Sequence, residues 1–241
     1  MRAETIIILA LDALDLHQVR KFNCRNLMQK ECGQTSLSDF NQERTVVLWA
    51  SFLTGKNMEA EIPIKSQWKF KLSPKQTLLN FFETYKAIDV PAFSYKQKNH
   101  AEERKLLKGY FENEATIEEC DEIVWRNHEE NKKDFFSYIG KSDLIMGYFD
   151  LADFIGHLSF GIIEKMAEVY YELDKIVEQV KDSDDFILVI SDHGMKAVGR
   201  YGDHSRNGFY SSNRRLELNL PKLTSFHNLI RRIAENESTK N

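Results

Sequence analysis

The sequence predicts a doubly wound α/β domain: a mostly parallel sheet with helices on both faces. Three observations carry this. Thr5 to Leu11 is a short, unbroken, β-branched apolar run of the kind that forms a strand buried on both faces. Leu144 to Phe149 and Phe186 to Ile190 repeat the pattern. Between those two, Ile162, Met166, Val169, Leu173, Ile176 and Val180 recur at steps of three and four, which describes a crossover helix between parallel strands.

Taken in order, the first strand stops at Asp12 and a helix is expected over His17 to Lys30. A second, strongly apolar helix runs over Val46 to Leu53 and ends at Gly55. The stretch from about 56 to 107 is less regular. It interleaves Lys65, Lys69, Lys71 and Lys75 with Trp68, Phe70, Phe81 and Phe82, and reads as a small cap or insert over a site, or else as a solvated lysine face above core aromatics. Within and after it, a helix is expected over Gln76 to Tyr85, weaker strands over Ala87 to Val90 and Glu122 to Trp125, and a helix over Glu129 to Ile139. A last helix covers Phe226 to Ala234, before a polar tail at Ser238 to Asn241 that should fray.

Composition narrows the classes. A chain of 241 residues, 42% hydrophobic, suits one domain spanning 1–241 with a sizeable core. The apolar run before Asp12 is far shorter than the ~20 residues that cross a bilayer. Met1 to Glu4 lead straight into that run, so no secretory signal is expected. Cys24, Cys32 and Cys120 lack metal-ligand spacing and read as reduced thiols of a cytoplasmic protein. A net charge of −4 offers no footprint for duplex nucleic acid, and no membrane partner is expected.

In such sheets chemistry sits beyond the carboxyl ends of the strands. Asp192-His193-Gly194 directly follows the strand ending at Ile190; a carboxylate and an imidazole there can face a metal ion, or the Asp can simply cap a turn. Asp153 and His157 are four apart, on one face of a helical turn, with Asp150 the rival carboxylate. Their neighbours Phe154, Ile155, Leu158 and Phe160 make an apolar setting in which both need partners. Gly202-Asp203-His204 opens a glycine-punctuated loop running to Gly208. Singly, each has an ordinary structural explanation. Together, Asp12, Asp153, His157, Asp192, His193 and His204 supply three carboxylates and three imidazoles at one sheet edge, enough for two divalent ions and the clamp that serves in-line displacement at phosphorus. Thr45, opening the helix before Gly55, is the candidate nucleophile: it can cap the backbone, or present its hydroxyl where a helix start attracts phosphate.

In this order, Asp12, Thr45 ten residues before Gly55, Asp153 with Gly156-His157, Asp192-His193-Gly194 and His204 resemble the alkaline phosphatase superfamily, closest to its type I phosphodiesterase and nucleotide pyrophosphatase branch. The match runs from about Thr5 to Phe209. The resemblance implies an alkaline phosphatase-like core in which Asp153, His157 and His204 hold one metal ion, while Asp12, Asp192 and His193 hold the other beside Thr45. It implies zinc, or alternatively manganese, and cleavage of a small, nucleotide-like phosphodiester or phosphoanhydride through a phosphothreonine. The alternatives are a phosphomonoesterase with the same metals, and a protein that keeps the fold and binds without turnover. A mutase of the cofactor-independent phosphoglycerate type has no room for its inserted domain.

Overall fold

The computed structural model describes residues 4–181 and 184–238. The central strand, β1 (Ile6–Leu11), is buried along its whole length and ends at Asp12. The helix expected over His17 to Lys30 is broken into α1 (Leu16–Lys21) and α2 (Arg25–Met28), followed by β2 (Glu31–Gln34). The break has a local cause. The Phe22 amide closes α1 on Gln18 and Arg20, and Asn23 turns left-handed at φ 55, which Asn tolerates better than most residues.

Helix α3 (Thr45–Thr54) is buried on all sides and stops at Gly55, whose φ of 72 suits a residue without a Cβ. Residues 56–84 form short 3-10 turns at Ile64–Lys69, Pro74–Gln76 and Leu78–Phe81 instead of the helix expected over Gln76 to Tyr85. Thr77 is the interruption. Its backbone is extended at φ −117, ψ 162, and its hydroxyl donates to the Pro74 carbonyl at 2.9 Å. Tyr85 already belongs to β3 (Tyr85–Ile88), the weak strand displaced two residues toward the N-terminus.

Helix α4 (Gln97–Phe111) had no apolar signature, and α5 (Ile117–Tyr138) absorbs two expectations. The strand expected at Glu122 to Trp125 is helical, and the helix over Glu129 to Ile139 is the second half of the same element. A capping box sets the start: the Thr116 hydroxyl accepts from the Glu119 amide and the Glu119 carboxylate accepts from the Thr116 amide. Once started, Cys120, Ile123, Val124, Asn127, Asn131 and Phe135 fall on one buried face.

The chain continues through β4 (Leu144–Phe149), α6 (Leu151–Ser159), α7 (Ile163–Glu178) and β5 (Phe186–Ile190). It then forms a hairpin of β6 (Gly194–Val198) and β7 (Tyr201–Ser205), β8 (Phe209–Ser212) and α8 (Ser225–Ser238). The loop expected from Gly202 is therefore a strand for its first half. Of the expected frayed tail, residues 239–241 lie outside the described residues.

The six-stranded sheet has the order β2-β8-β5-β1-β4-β3. Strands β5, β1, β4 and β3 are parallel; β8 runs antiparallel to both β5 and β2. Alternate residues of β1 enter opposite cores. Ile7, Leu9 and Leu11 pack with α1, α2, α5, α6 and α7, whereas Ile6, Ile8 and Ala10 pack with α3, α8 and the 3-10 turns. The expected doubly wound architecture is present. Among the described residues no helix is long and apolar enough to cross a membrane, and the three cysteines are free.

Helices α5 and α7 are stitched by Glu172, which accepts from Lys132 Nζ at 2.6 Å and lies 3.4 Å from His128 Nε2. His128, with Lys132, holds the Glu172 carboxyl down at about 2 against the opposing effect of burial. A folded value below the unfolded one stabilises above pH ~4.5, and that stability is lost as pH falls toward 2. Glu172→Gln should therefore cost of order 2 kcal/mol at pH 7 and far less near pH 2.5. Urea denaturation at both pH values in chelator checks this; an equal cost at both would show that the charge is irrelevant.

Candidate functional site

The strand ends bring the predicted residues together. Asp12 leaves β1, Asp192 and His193 leave β5, Asp153 and His157 stand on the first turns of α6, and His204 projects from β7. Two close approaches of backbone make this meeting feasible. A Cβ on Gly156 or on Gly202 would collide with Met195 Sδ, and one on Gly202 would also press on the Gly156 carbonyl. Glycine at both positions lets α6 and β7 touch, which sets His157 and His204 with Nε2 atoms 3.0 Å apart.

The side chains form two adjoining groups. His193 Nε2 lies 3.2 Å from Asp12 Oδ1 and 3.6 Å from Asp192 Oδ2. Asp153 Oδ1 lies 3.4 Å from His157 Nε2 and 3.2 Å from His204 Nε2. Within each group the donor atoms lie within 4.8 Å of one another. The groups meet where the His193 and His204 rings stack with centroids 3.8 Å apart. The rival carboxylate, Asp150, turns away toward His100, at 3.2 Å.

The tautomers follow from the neighbours. His157 Nδ1 faces the Gly202 carbonyl at 3.2 Å, His204 Nδ1 the Glu43 carbonyl at 3.0 Å, and His193 Nδ1 the Gly194 carbonyl at 3.1 Å. A carbonyl only accepts, so each Nδ1 carries the proton and each Nε2 turns a lone pair into the site. In the neutral imidazoles, three nitrogen lone pairs then face three carboxylates and one another, an arrangement that repels itself unless protons or metal cations stand among them. The buried atoms agree: Asp12 Oδ1, Asp153 Oδ1, both Asp192 oxygens and His193 Nε2 have no hydrogen-bond partner among the described residues. This donor set, three imidazoles and three carboxylates, fits divalent cations.

The electrostatics show the same strain. Burial, then the neighbouring Asp153 charge, pushes Asp12 up to about 7, and burial with Asp12 pushes Asp192 well above the carboxylate range. Asp153 goes the other way: burial opposes its charge, but His157 and His204 hold it well below. Burial and the nearby His204 lower His193 to about 3, whereas Asp153 overcomes burial to raise His157, and to raise His204 to about 9.

Thr45 is the first residue of α3, and the N-cap position belongs to Arg44, whose guanidinium is pinned to the Ile62 and Glu59 carbonyls. The Thr45 hydroxyl makes no hydrogen bond among the described residues, so it is not spent as a cap. Thr45 lines a cavity of about 260 Å³ together with Asp153, His157 and His204.

Several residues at the site carry no sequence signal of their own. Tyr148, in an apolar strand, donates its hydroxyl to Asp12 Oδ2. Ser191 Oγ accepts from the Leu14 amide at 2.9 Å and donates to the His193 carbonyl at 2.6 Å, which locks the loop after β1 to the loop after β5. On the cavity's far wall, His100 is buried with Nε2 2.9 Å from Asp89 and Nδ1 2.6 Å from Glu103. Carboxylates on both ring nitrogens override burial and keep that imidazole protonated. Its ring stacks on Tyr95, and Tyr95 stacks on Trp68, over which Arg104 lies 4.1 Å from the ring centre. Glu103 is one helical turn from His100 and Asp89 lies eleven residues before it, but Asp150 arrives from beyond β4, and no apolar period marks this helix in the sequence.

Solved structures share this fold. The chain matches the alkaline phosphatase of the Antarctic bacterium TAB5 over 98% of this chain and 99% of that one, with TM-score 0.57 and 11% identity. A variant of that enzyme with magnesium bound matches over the same shares, with TM-score 0.59 and 10% identity. The phosphoglycerol transferase GacH of Streptococcus pyogenes, in complex with sn-glycerol-1-phosphate, matches over 95% of this chain and 74% of its own, with TM-score 0.53 and 12% identity. No family model matches the chain, and no curated protein does so significantly. The chain therefore shares an alkaline phosphatase-like fold, as the sequence predicts.

Proposed function

We propose that this chain is a two-metal phosphohydrolase that cleaves a phosphodiester or nucleotide-like phosphoanhydride through a phosphothreonine at Thr45. The observation that carries the reading is the convergence of three imidazoles and three carboxylates beside a threonine hydroxyl that makes no hydrogen bond among the described residues. Asp153, His157 and His204 would hold one divalent ion, and Asp12, Asp192 and His193 the other. Bound there, zinc or manganese would neutralise phosphate charge and favour ionisation of a nearby hydroxyl.

The chain's own residues supply the rest. The carbonyls of Gly202, Glu43 and Gly194 fix the imidazole tautomers, and Tyr148 and Ser191 hold the carboxylate loops in place. The start of α3 turns free backbone N–H groups toward an incoming phosphate. Thr45 Oγ1 forms the bond to phosphorus, the bond to the leaving oxygen breaks, and water later splits the phosphothreonine and restores the hydroxyl. A phosphomonoesterase using the same groups is the second reading, favoured by the likeness to an alkaline phosphatase.

The test joins metal content to substrate. Purified protein should hold near two equivalents of zinc or manganese, and His157→Ala and His193→Ala should each lower that by about one ion, since they belong to different groups. The wild type should cleave bis(p-nitrophenyl) phosphate faster than p-nitrophenyl phosphate. The reverse preference would establish the monoesterase, and full activity in metal-free protein would end the two-metal reading.

A further inference from the structure

The stretch that joins α3 to β3 carries an unbalanced charge. Residues 62–82 hold four lysines, Lys65, Lys69, Lys71 and Lys75, and no aspartate or glutamate, in a chain whose net charge is −4. All four lysines are exposed, and none is ion-paired among the described residues. The acids on neighbouring elements are engaged elsewhere. Glu61 pairs with Lys56 at 3.7 Å, Asp134 with Lys96 at 3.2 Å and Glu102 with Arg126 at 3.6 Å, while Asp89 and Glu103 are buried on His100. Glu83, beyond Phe82, is exposed and unpaired among the described residues.

The backbone holds the lysines on a platform. Ile62 and Leu72 are buried and anchor its two ends; the Leu72 amide donates to the Ala92 carbonyl at 2.7 Å, and Gln97 donates to the Trp68 carbonyl. Phe70 is extended at φ −66, ψ 136, so Lys69 and Lys71 fall on one side of it, where they border a depression lined also by Phe70 and Phe93. At the start of the same turn Ile64 is 60% exposed, more than any other large apolar side chain among the described residues.

We infer that this face docks on an anionic lipid surface, with the lysines against the headgroups and Ile64 inserted below them. Each lysine gains from the negative potential of such a surface, and several act together. Ile64 decides between polyanions, because a bilayer offers an aliphatic side chain an apolar phase and a soluble polynucleotide does not. The charge of the whole chain is no obstacle. A planar surface meets one face, and charges more than roughly 8–10 Å away are screened. A contact of this kind needs no spanning segment, so short apolar runs do not argue against it. Trp68, on the same turn, also lines the cavity that holds Thr45, so the docked face adjoins the proposed site. The contact itself does not depend on turnover.

Sedimentation with vesicles tests this. The wild type should sediment at about 50 mM salt with vesicles of phosphatidylcholine and phosphatidylserine, stay in solution with phosphatidylcholine alone, and be released at about 500 mM salt. The triple variant Lys65→Gln, Lys69→Gln, Lys71→Gln should lower the partition coefficient at least about tenfold, and Ile64→Ser about fivefold. These side chains are exposed and unpaired, so both variants should melt with the wild type. No sedimentation with the mixed vesicles, or equal sedimentation by wild type and triple variant, overturns the inference. Wild-type affinity in Ile64→Ser also overturns it, because the contact would then lack its apolar half. Retention of labelled poly(U) without vesicle binding assigns the face to single-stranded nucleic acid and overturns it too.

Discussion

Replacing Thr45 with alanine should abolish turnover, by roughly 10⁴-fold or more, the scale on which removing a nucleophile disables a set of groups that act as a unit. It should do so with almost no effect on the fold. The Thr45 hydroxyl makes no cap bond, the N-cap is Arg44, and alanine is at least as good a helix former, so stability should move by less than about 0.5 kcal/mol. A capping threonine would instead cost about 1 kcal/mol and leave activity intact. Denaturation and steady-state rates on the same preparations separate the two roles. Acid-quenched wild type fed a labelled substrate should retain label on the chain, Thr45→Ser should retain it too, and Thr45→Ala should not. Activity near wild type in the alanine variant would remove Thr45 from the chemistry.

The second large effect concerns pH and divalent ions together. In the ion-free chain, Asp192 is held well above the carboxylate range and Asp12 at about 7, chiefly by burial, while His204 is raised to about 9 and His157 upward by Asp153. Each of these keeps a proton in the folded state that the unfolded chain has already shed, so stability without ions falls as pH rises from about 6.5 to 9. His193, lowered to about 3 by burial, acts in the opposite sense, but only below pH 6.5. Divalent ions replace those protons, so the stability they add grows with pH. The midpoint of thermal unfolding should rise by about 5–10 °C on adding zinc or manganese to chelator-treated protein at pH 8.5, and by much less at pH 6. Asp192→Asn should flatten the pH dependence of the chelator-treated protein and remove most of the gain. Equal melting in chelator at both pH values, with no gain from either ion, would show that protons alone satisfy these side chains.

Much of this was legible from the order of residues because the signals were strong and local. The runs at Ile6, Leu144 and Phe186 are apolar on both faces, and only the centre of a parallel sheet buries such a strand. The side chains at the site sit directly beyond those runs, where the chain must turn. What stayed hidden has equally physical reasons. Strand β8 contains Ser211 and Ser212, which are fully buried because neighbouring strands and Gln29 satisfy them, so no apolar alternation marks it. Helix α4 buries His100, Glu103 and Gly109 and no large apolar residue, which removes the period that betrays a helix. Ile123 and Val124 read as strand because β-branched neighbours do so in isolation; the capping box upstream decided otherwise. Tyr148 looked like core because its ring is core, and only its hydroxyl reaches Asp12.

The placement of β1 has a consequence for how the chain comes to exist. Ile6 lies beside Leu144 on one edge and Phe186 on the other, so β1 is made long before either of its neighbours. Through most of synthesis an aliphatic ribbon with two bare edges waits for partners far downstream, and closing such long loops is slow. Neither group of candidate metal ligands can assemble early, because Asp12 meets His193 and Asp153 meets His204 only across the chain. If these groups hold cations, the cations bind only after most of the chain has been made.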